Sequence, residues 1–190
     1  MKIGNKILNK LIKNKEIISA NIVGSYMEKK NLDKIGDIDV VVVCKKLSKK
    51  IIEKLTYDIK NINIKDLNKE FLVNSTFGPL KLTKHNHIPI HLMIYDIDSH
   101  IDHVTSSPFT CYDWERSKLY RGIPLKKIYP VNYLQLRDFF TVRRNSKEYL
   151  KDLSRNRISI RKYFFTKKSV RISKRYIKID ERNRGEFVYH

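Results

Sequence analysis

The chain has 190 residues, 41% hydrophobic and 11% aromatic, enough apolar material for a folded core, so wholesale disorder is excluded. No run of 18 apolar residues and no charged-then-apolar start is read, which argues for a soluble protein, and a cytoplasmic one is expected. Forty Lys and Arg against 20 Asp and Glu give a net charge of +20, far outside the ~2–8 of an ordinary small domain, which points to an anionic partner. The two cysteines, Cys44 and Cys111, lack metal-like spacing and are expected as reduced thiols.

In chain order, Ile3, Ile7, Leu8, Leu11 and Ile12 recur at helical spacing and predict an opening helix over about residues 2–14. Residues 16–23 read as a strand that runs into Gly24-Ser25. Residues 26–36 are too polar and too short for more than one helical turn and a loop, and 37–43 form a second strand. Leu47, Ile51, Ile52, Leu55 and Ile59 define an amphipathic helix with Ser48 placed to cap it. Glu70–Ser75 is a candidate strand, Phe77-Gly78-Pro79 a turn, and 88–95 a further strand.

Residues 96–108 read as a loop punctuated by Ser106-Ser107-Pro108, and 109–119 as a helix bearing Trp114. After Pro130, a helix over 131–150 is expected to bury Leu134, Leu136, Phe139, Phe140 and Val142. The pattern is mixed α/β (α+β): a sheet flanked by helices over 1–130, with a basic, largely helical segment over 131–190 packed on it.

Chemistry concentrates near the start. Ile22-Val23-Gly24-Ser25 is followed, after the eleven residues 26–36, by Asp37-Ile38-Asp39 and then by four valines. Carboxylates two apart on a strand project from one side and can share a divalent cation, and their hard oxygens suit Mg²⁺. A glycine at the upstream turn lets backbone approach a phosphate, and Ser25 adds a hydroxyl. A phosphate grip beside a metal grip is what phosphoryl or nucleotidyl transfer requires.

Hydrophobic-Gly-Ser, a spacer, then Asp-hydrophobic-Asp-hydrophobic resembles the signature of nucleotidyltransferases of the DNA-polymerase-β type. That superfamily includes CCA-adding enzymes, poly(A) polymerases and antibiotic nucleotidyltransferases. The resemblance covers about residues 17–125, because Tyr120-Arg121-Gly122-Ile123-Pro124-Leu125 also looks like the segment that closes the core in several members. It implies the nucleotidyltransferase fold, contact of Gly24 and Ser25 with the phosphates of an NTP, and Mg²⁺ (or Mn²⁺) on Asp37 and Asp39. It also implies a third acid on a later strand, where this chain has His91 in Ile88-Pro89-Ile90-His91-Leu92.

Three readings of that departure stand open: His91 as base or metal ligand, Asp96 or Asp98 in the acid's place, or a site that binds without catalysis. His85, His87, His100 and His103 crowd around it, yet without the spacing or cysteines of a structural zinc site.

Residues 143–184 hold 16 Lys and Arg against 4 Asp and Glu, more than half of the net charge. Nine of the chain's twelve arginines lie there. Arg143, Arg144, Arg155, Arg157, Arg161, Arg171 and Arg175 are the candidate nucleic-acid contacts, because guanidinium forks grip phosphates bidentately. Tyr149, Tyr163, Phe164, Phe165 and Tyr176 are interleaved, and an exposed ring stacks on unpaired bases. Ile160, Tyr163 and Phe164 sit at helical spacing, so some of these rings are expected in a core.

The expected activity is metal-dependent transfer of NMP from an NTP to a hydroxyl of a nucleic acid, RNA or a tRNA end, with Asp37, Asp39 and His91 as the catalytic group and no membrane partner. Oligomeric state is left open. The alternatives are transfer to a small-molecule or protein hydroxyl, and a catalytically silent nucleotide- or RNA-binding module.

Overall fold

A computed structural model of the chain describes residues 2–27, 37–64, 69–77, 86–167 and 169–187. Helix α1 (Lys2–Leu11) leads to β1 (Ile17–Val23), a 3₁₀ turn (Gly24–Met27), β2 (Ile38–Cys44) and α2 (Lys49–Lys60). Then come β3 (Glu70–Asn74), β4 (His87–Asp96), α3 (Ile97–Ser106), α4 (Pro108–Trp114), β5 (Tyr120–Gly122) and the short α5 (Leu125–Ile128). The chain continues through α6 (Leu136–Ser154), β6 (Arg157–Phe165), β7 (Val170–Lys178) and a 3₁₀ turn (Glu181–Phe187). Among the described residues no helix is long and apolar enough to cross a membrane.

Five strands form one mixed sheet in the order β3-β4-β2-β1-β5. β2 runs parallel to β4 and antiparallel to β1, β3 runs parallel to β4, and β5 runs antiparallel to β1. The run Val40–Cys44 is apolar at every position because both faces of the sheet are covered. On one face Ile38, Val40, Val42, Ile90, Leu92 and Ile94 pack with α1 and α2 residues such as Ile7, Leu11 and Leu55. On the other, Val41, Val43, Met93 and Tyr95 meet Val104, Cys111, Trp114 and Leu125. Ser48 caps α2, its Oγ accepting from the backbone N–H of Ile51 at 3.3 Å. Cys44 and Cys111 are buried free thiols.

The α+β class and the places of the first four strands along the chain follow the sequence pattern, whereas the C-terminal segment differs from it. The basic segment is helix α6 followed by an antiparallel hairpin, β6-β7, in which Ile160 pairs with Arg175 and Phe164 with Arg171. Ile158 and Ile160 are the buried positions of an alternating strand pattern, and the spacing of Ile160, Tyr163 and Phe164 is not helical contact. Helix α6 begins five residues later than expected and leaves Leu136, Phe139, Phe140 and Val142 exposed; only Leu134 is partly buried. It is anchored at its other end, where Leu153 joins Ile158, Ile160 and Phe187 in a small core of their own. The Gly78-Pro79 turn lies outside the described residues.

The hairpin is pinned to the main sheet by one tyrosine. β3 pairs with β4 only as far as Asn74 opposite His91, so Ile94 lies beyond the reach of the edge strand. Tyr163 Oη takes over there, accepting from Ile94 N and donating to Ile94 O, both at 2.8 Å. A backbone bridge between Phe77 and Arg161 continues the attachment. Tyr163→Phe orphans both backbone groups, so urea denaturation should show a loss of about 1–3 kcal/mol. An unchanged midpoint would show that Tyr163 does not hold the hairpin.

Residues 97–106, expected as loop, are helix α3. Its start is a capping box in which Asp96 and Ser99 satisfy each other's backbone N–H groups. His100 and His103 occupy buried positions one helical turn apart with Val104, which is why a polarity reading misses the helix. His103 is stacked between Tyr95 and Trp114, and His100 lies edge-on to Tyr95. Burial lowers His100 to about 4, and burial, then Arg161 and His100, lower His103 to about 3. Unfolded, both titrate near 6.5, so the unfolded chain binds more protons below that pH. Their contribution is complete above about pH 6.5 and is lost as pH falls from there toward the folded values. Denaturant titrations between pH 7 and 4 should show an acid loss to which His100 adds on the order of 3 kcal/mol, the part that His100→Phe removes; superimposable acid limbs would refute it.

Candidate metal centre

The register of three strands builds the site. Asp39 of β2 lies opposite His91 of β4 and opposite Val23 of β1, and His91 lies opposite Asn74 of β3. Cross-strand partners share a face, so Val23, Asp39, His91 and Asn74 form one row across the sheet. Asp37, two residues before Asp39, enters from the same side. His91 Nδ1 stands 3.5 Å from Asp37 Oδ2 and 3.4 Å from Asp39 Oδ1. Ligand atoms of the three residues all lie within 4.8 Å of one another, which makes them a possible metal-holding group. The row continues the sheet face that packs against α3 and α4, at the end where the apolar side chains stop.

The glycine bend is part of this geometry. Gly24 has φ +72°, and a Cβ built on it would stand 2.6 Å from Asp39 Oδ2. Only a residue without a side chain lets the bend lie this close to the carboxylate. Ser25 follows it, exposed, in the 3₁₀ turn. The backbone bend and both carboxylates are therefore side by side, as a phosphate grip next to a metal grip requires.

Electrostatics mark the cluster as one that gains from a cation. The Asp37 carboxyl is held above its ordinary value, first by burial and second by the charge of Asp39, with His91 opposing them. Two carboxylates forced together in a half-buried setting are relieved by a divalent ion. All three side chains remain partly open to solvent, so a ligand can reach them.

Asp96 and Asp98 do not join the site. Asp96 pairs with Cys44 at the far end of β4, five residues or about 16 Å from His91. Its carboxylate is committed to capping α3. Of the other histidines, His100 and His103 are core residues and His87 opens β4; His85 lies outside the described residues. A cavity of 580 Å³ between α3 and the hairpin, lined by Asp98, Asp102, Arg161 and Arg171 among others, is at this opposite end too.

Asn74 is the residue that motif reasoning missed. It is buried beside His91, its Oδ1 accepts from Thr76, and its Nδ2 has no partner among the described residues. Its only signal in the sequence is an Asn ending a short strand.

The seven candidate arginines divide. Arg157 is tied to Asp152 at 2.8 Å and lies over the Tyr176 ring, and Arg161 meets His103 Nδ1 at 3.0 Å. Both serve the fold. Arg143, Arg144, Arg155, Arg171 and Arg175 are exposed. Arg171 and Arg175 share one hairpin face with Lys162 and the exposed ring of Phe164.

No protein-family model, curated protein or solved structure matches the chain.

Gly24→Ala should push the Asp39 carboxylate out of the row and add backbone strain of about 1–2 kcal/mol. The expected result is a loss of Mn²⁺ affinity of about tenfold or more in a calorimetric titration; native affinity would separate the bend from the site.

Proposed function

We propose that the chain is a metal-dependent nucleotidyltransferase that moves NMP from an NTP to a hydroxyl of a nucleic acid, with RNA as the acceptor class. The observation that carries this reading is the packing of the Gly24 bend against Asp39 within the Asp37–Asp39–His91 cluster. Its support is threefold: the motif resemblance, the strand register that gathers those residues, and a basic surface bearing exposed rings.

The donor set fits a divalent cation: two carboxylates and an imidazole converge, with ligand atoms within 4.8 Å of one another. When bound, such an ion neutralises triphosphate charge and makes the acceptor hydroxyl easier to deprotonate. Asp37, Asp39 and His91 would hold it. The Gly24-Ser25 turn would seat the β- and γ-phosphates through backbone N–H groups and the Ser25 hydroxyl. The acceptor hydroxyl would release its proton to solvent as its oxygen forms its bond to the α-phosphorus; the bond to the bridging oxygen breaks, and pyrophosphate leaves with that electron pair. Arg143, Arg144, Arg155, Arg171 and Arg175 would hold the acceptor's phosphates, and Phe164 would stack on an unpaired base.

The test is incubation of the protein with each labelled NTP, a divalent cation and total RNA. Asp39→Asn should reduce NMP transfer by about a thousandfold or more, since it removes several kcal/mol of charge stabilisation. Native and variant protein equally active would defeat the mechanism. Binding of RNA with no transfer by the native chain would instead favour a silent binding module, a reading for which His91 in place of an acid speaks.

Reversing Arg171 and Arg175 to Glu should weaken RNA binding at least about tenfold near 0.1 M salt and flatten the dependence of log K on log salt. Identical salt slopes would move the acceptor off the hairpin.

A further inference from the structure

We propose that Asp37, Asp39 and His91 form a one-ion centre of two carboxylates and one imidazole that selects Mn²⁺, as a first-row transition cation, over Mg²⁺. In it His91 is a ligand through Nδ1 and not the catalytic base. This rests on the reading of the cluster as the site of the catalytic ion, and it concerns what that site prefers.

The geometry assigns the atom. Nδ1 is the ring nitrogen turned to both carboxylates, 3.4 and 3.5 Å from their oxygens. Those separations match neighbouring ligands around one ion held at about 2.1 Å, which lie ~3.0–3.5 Å apart in octahedral or tetrahedral arrangement. An Nδ1 committed in this way has no lone pair left to take a proton from an acceptor hydroxyl. The β4 backbone fixes the ring from one side, since His91 is locked in register between Asp39 and Asn74.

Charge and donor type set the preference. Mg²⁺ takes oxygen ligands and gives up water reluctantly, so replacing an acid by imidazole removes one of its few protein donors. Imidazole favours the transition metals, and affinity rises from Mn²⁺ along the first row. Two carboxylates carry two negative charges, enough to balance one divalent ion. Without nucleotide, these three side chains are the protein donors for a single ion. Among the described residues these three form the only group of this kind.

The experiment measures metal binding without nucleotide, on the full chain. Calorimetry and electron paramagnetic resonance should give one Mn²⁺ per chain, and Mg²⁺ should compete weakly. His91→Asp should cut the ratio of Mg²⁺ to Mn²⁺ dissociation constants at least about tenfold by restoring an oxygen donor. An unchanged ratio, or two Mn²⁺ per chain, overturns the proposal. If the variant does not fold, electron spin-echo modulation on the native Mn²⁺ protein decides: coupling to a directly bound ¹⁴N supports the proposal and its absence overturns it. Selective Mn²⁺ binding without NMP transfer would sink the nucleotidyltransferase reading and leave this one standing. Transfer by a protein that binds Mg²⁺ and Mn²⁺ alike, with the ratio unmoved in His91→Asp, would do the reverse.

Discussion

The parallel register of β2 against β4 is the constraint on which the rest depends. It sets Asp39 opposite His91, and the next partners on that face, Val41 with Met93 and Val43 with Tyr95, are buried. Because side chains alternate along a strand, a slip of one residue would turn Asp39 into one core and pull Val40 out of the other. The apolar run behind the aspartates therefore does more than fill space. Val40–Cys44, buried on both faces, is what makes the position of Asp39 a single answer. The site inherits its precision from the core.

The C-terminal hairpin solves a problem that the sheet leaves behind. β3 is five residues long and β4 ten, so half of β4 has no strand partner on that side. Unpaired backbone at a buried edge is costly, and an open edge invites pairing with other chains. A phenol from β6 covers the exposed position, and the Phe77–Arg161 bridge extends the cover. The basic surface is thus attached to the five-stranded sheet by the same element that covers its edge. Arg161 shows the economy of the arrangement, since it bonds His103 of α3 while its backbone holds Phe77.

The legible parts of the sequence were those where one local rule acted alone. Strict apolar spacing marked α1 and α2, and the Gly24-Ser25 and Asp37-Ile38-Asp39 pair marked the residues that the register brings together. Where polar residues take core positions, the pattern failed. His100 and His103 made α3 look like a loop, although the Asp96–Ser99 capping box was there to be read. In the hairpin, Ile158 and Ile160 alternate correctly, but the arginines and rings between them mask a period of two. Leu136, Phe139 and Phe140 show the opposite failure: their spacing does mark a helix, yet its apolar side is exposed. Asn74 had no local signature, because its place beside His91 exists only through β3 pairing.

The composition of the Asp37–Asp39–His91 cluster also fits folding without a bound ion. Burial and the neighbouring charge already hold the Asp37 carboxyl above its ordinary value, so a third carboxylate at position 91 would add like charge to a half-buried pair. An imidazole contributes a donor without that repulsion and, when protonated, attracts both acids. The +20 charge of the whole chain acts in the same direction, lowering the cost of two close carboxylates while drawing polyanions toward the surface around them. In the proposed function, a negative cluster set in a positive field would gather phosphate at its rim and keep the cluster itself for a cation. The two opposite demands of that proposal, gathering anions and binding a metal, would be met by charges on different elements: acids at the ends of central strands, arginines on the hairpin and α6.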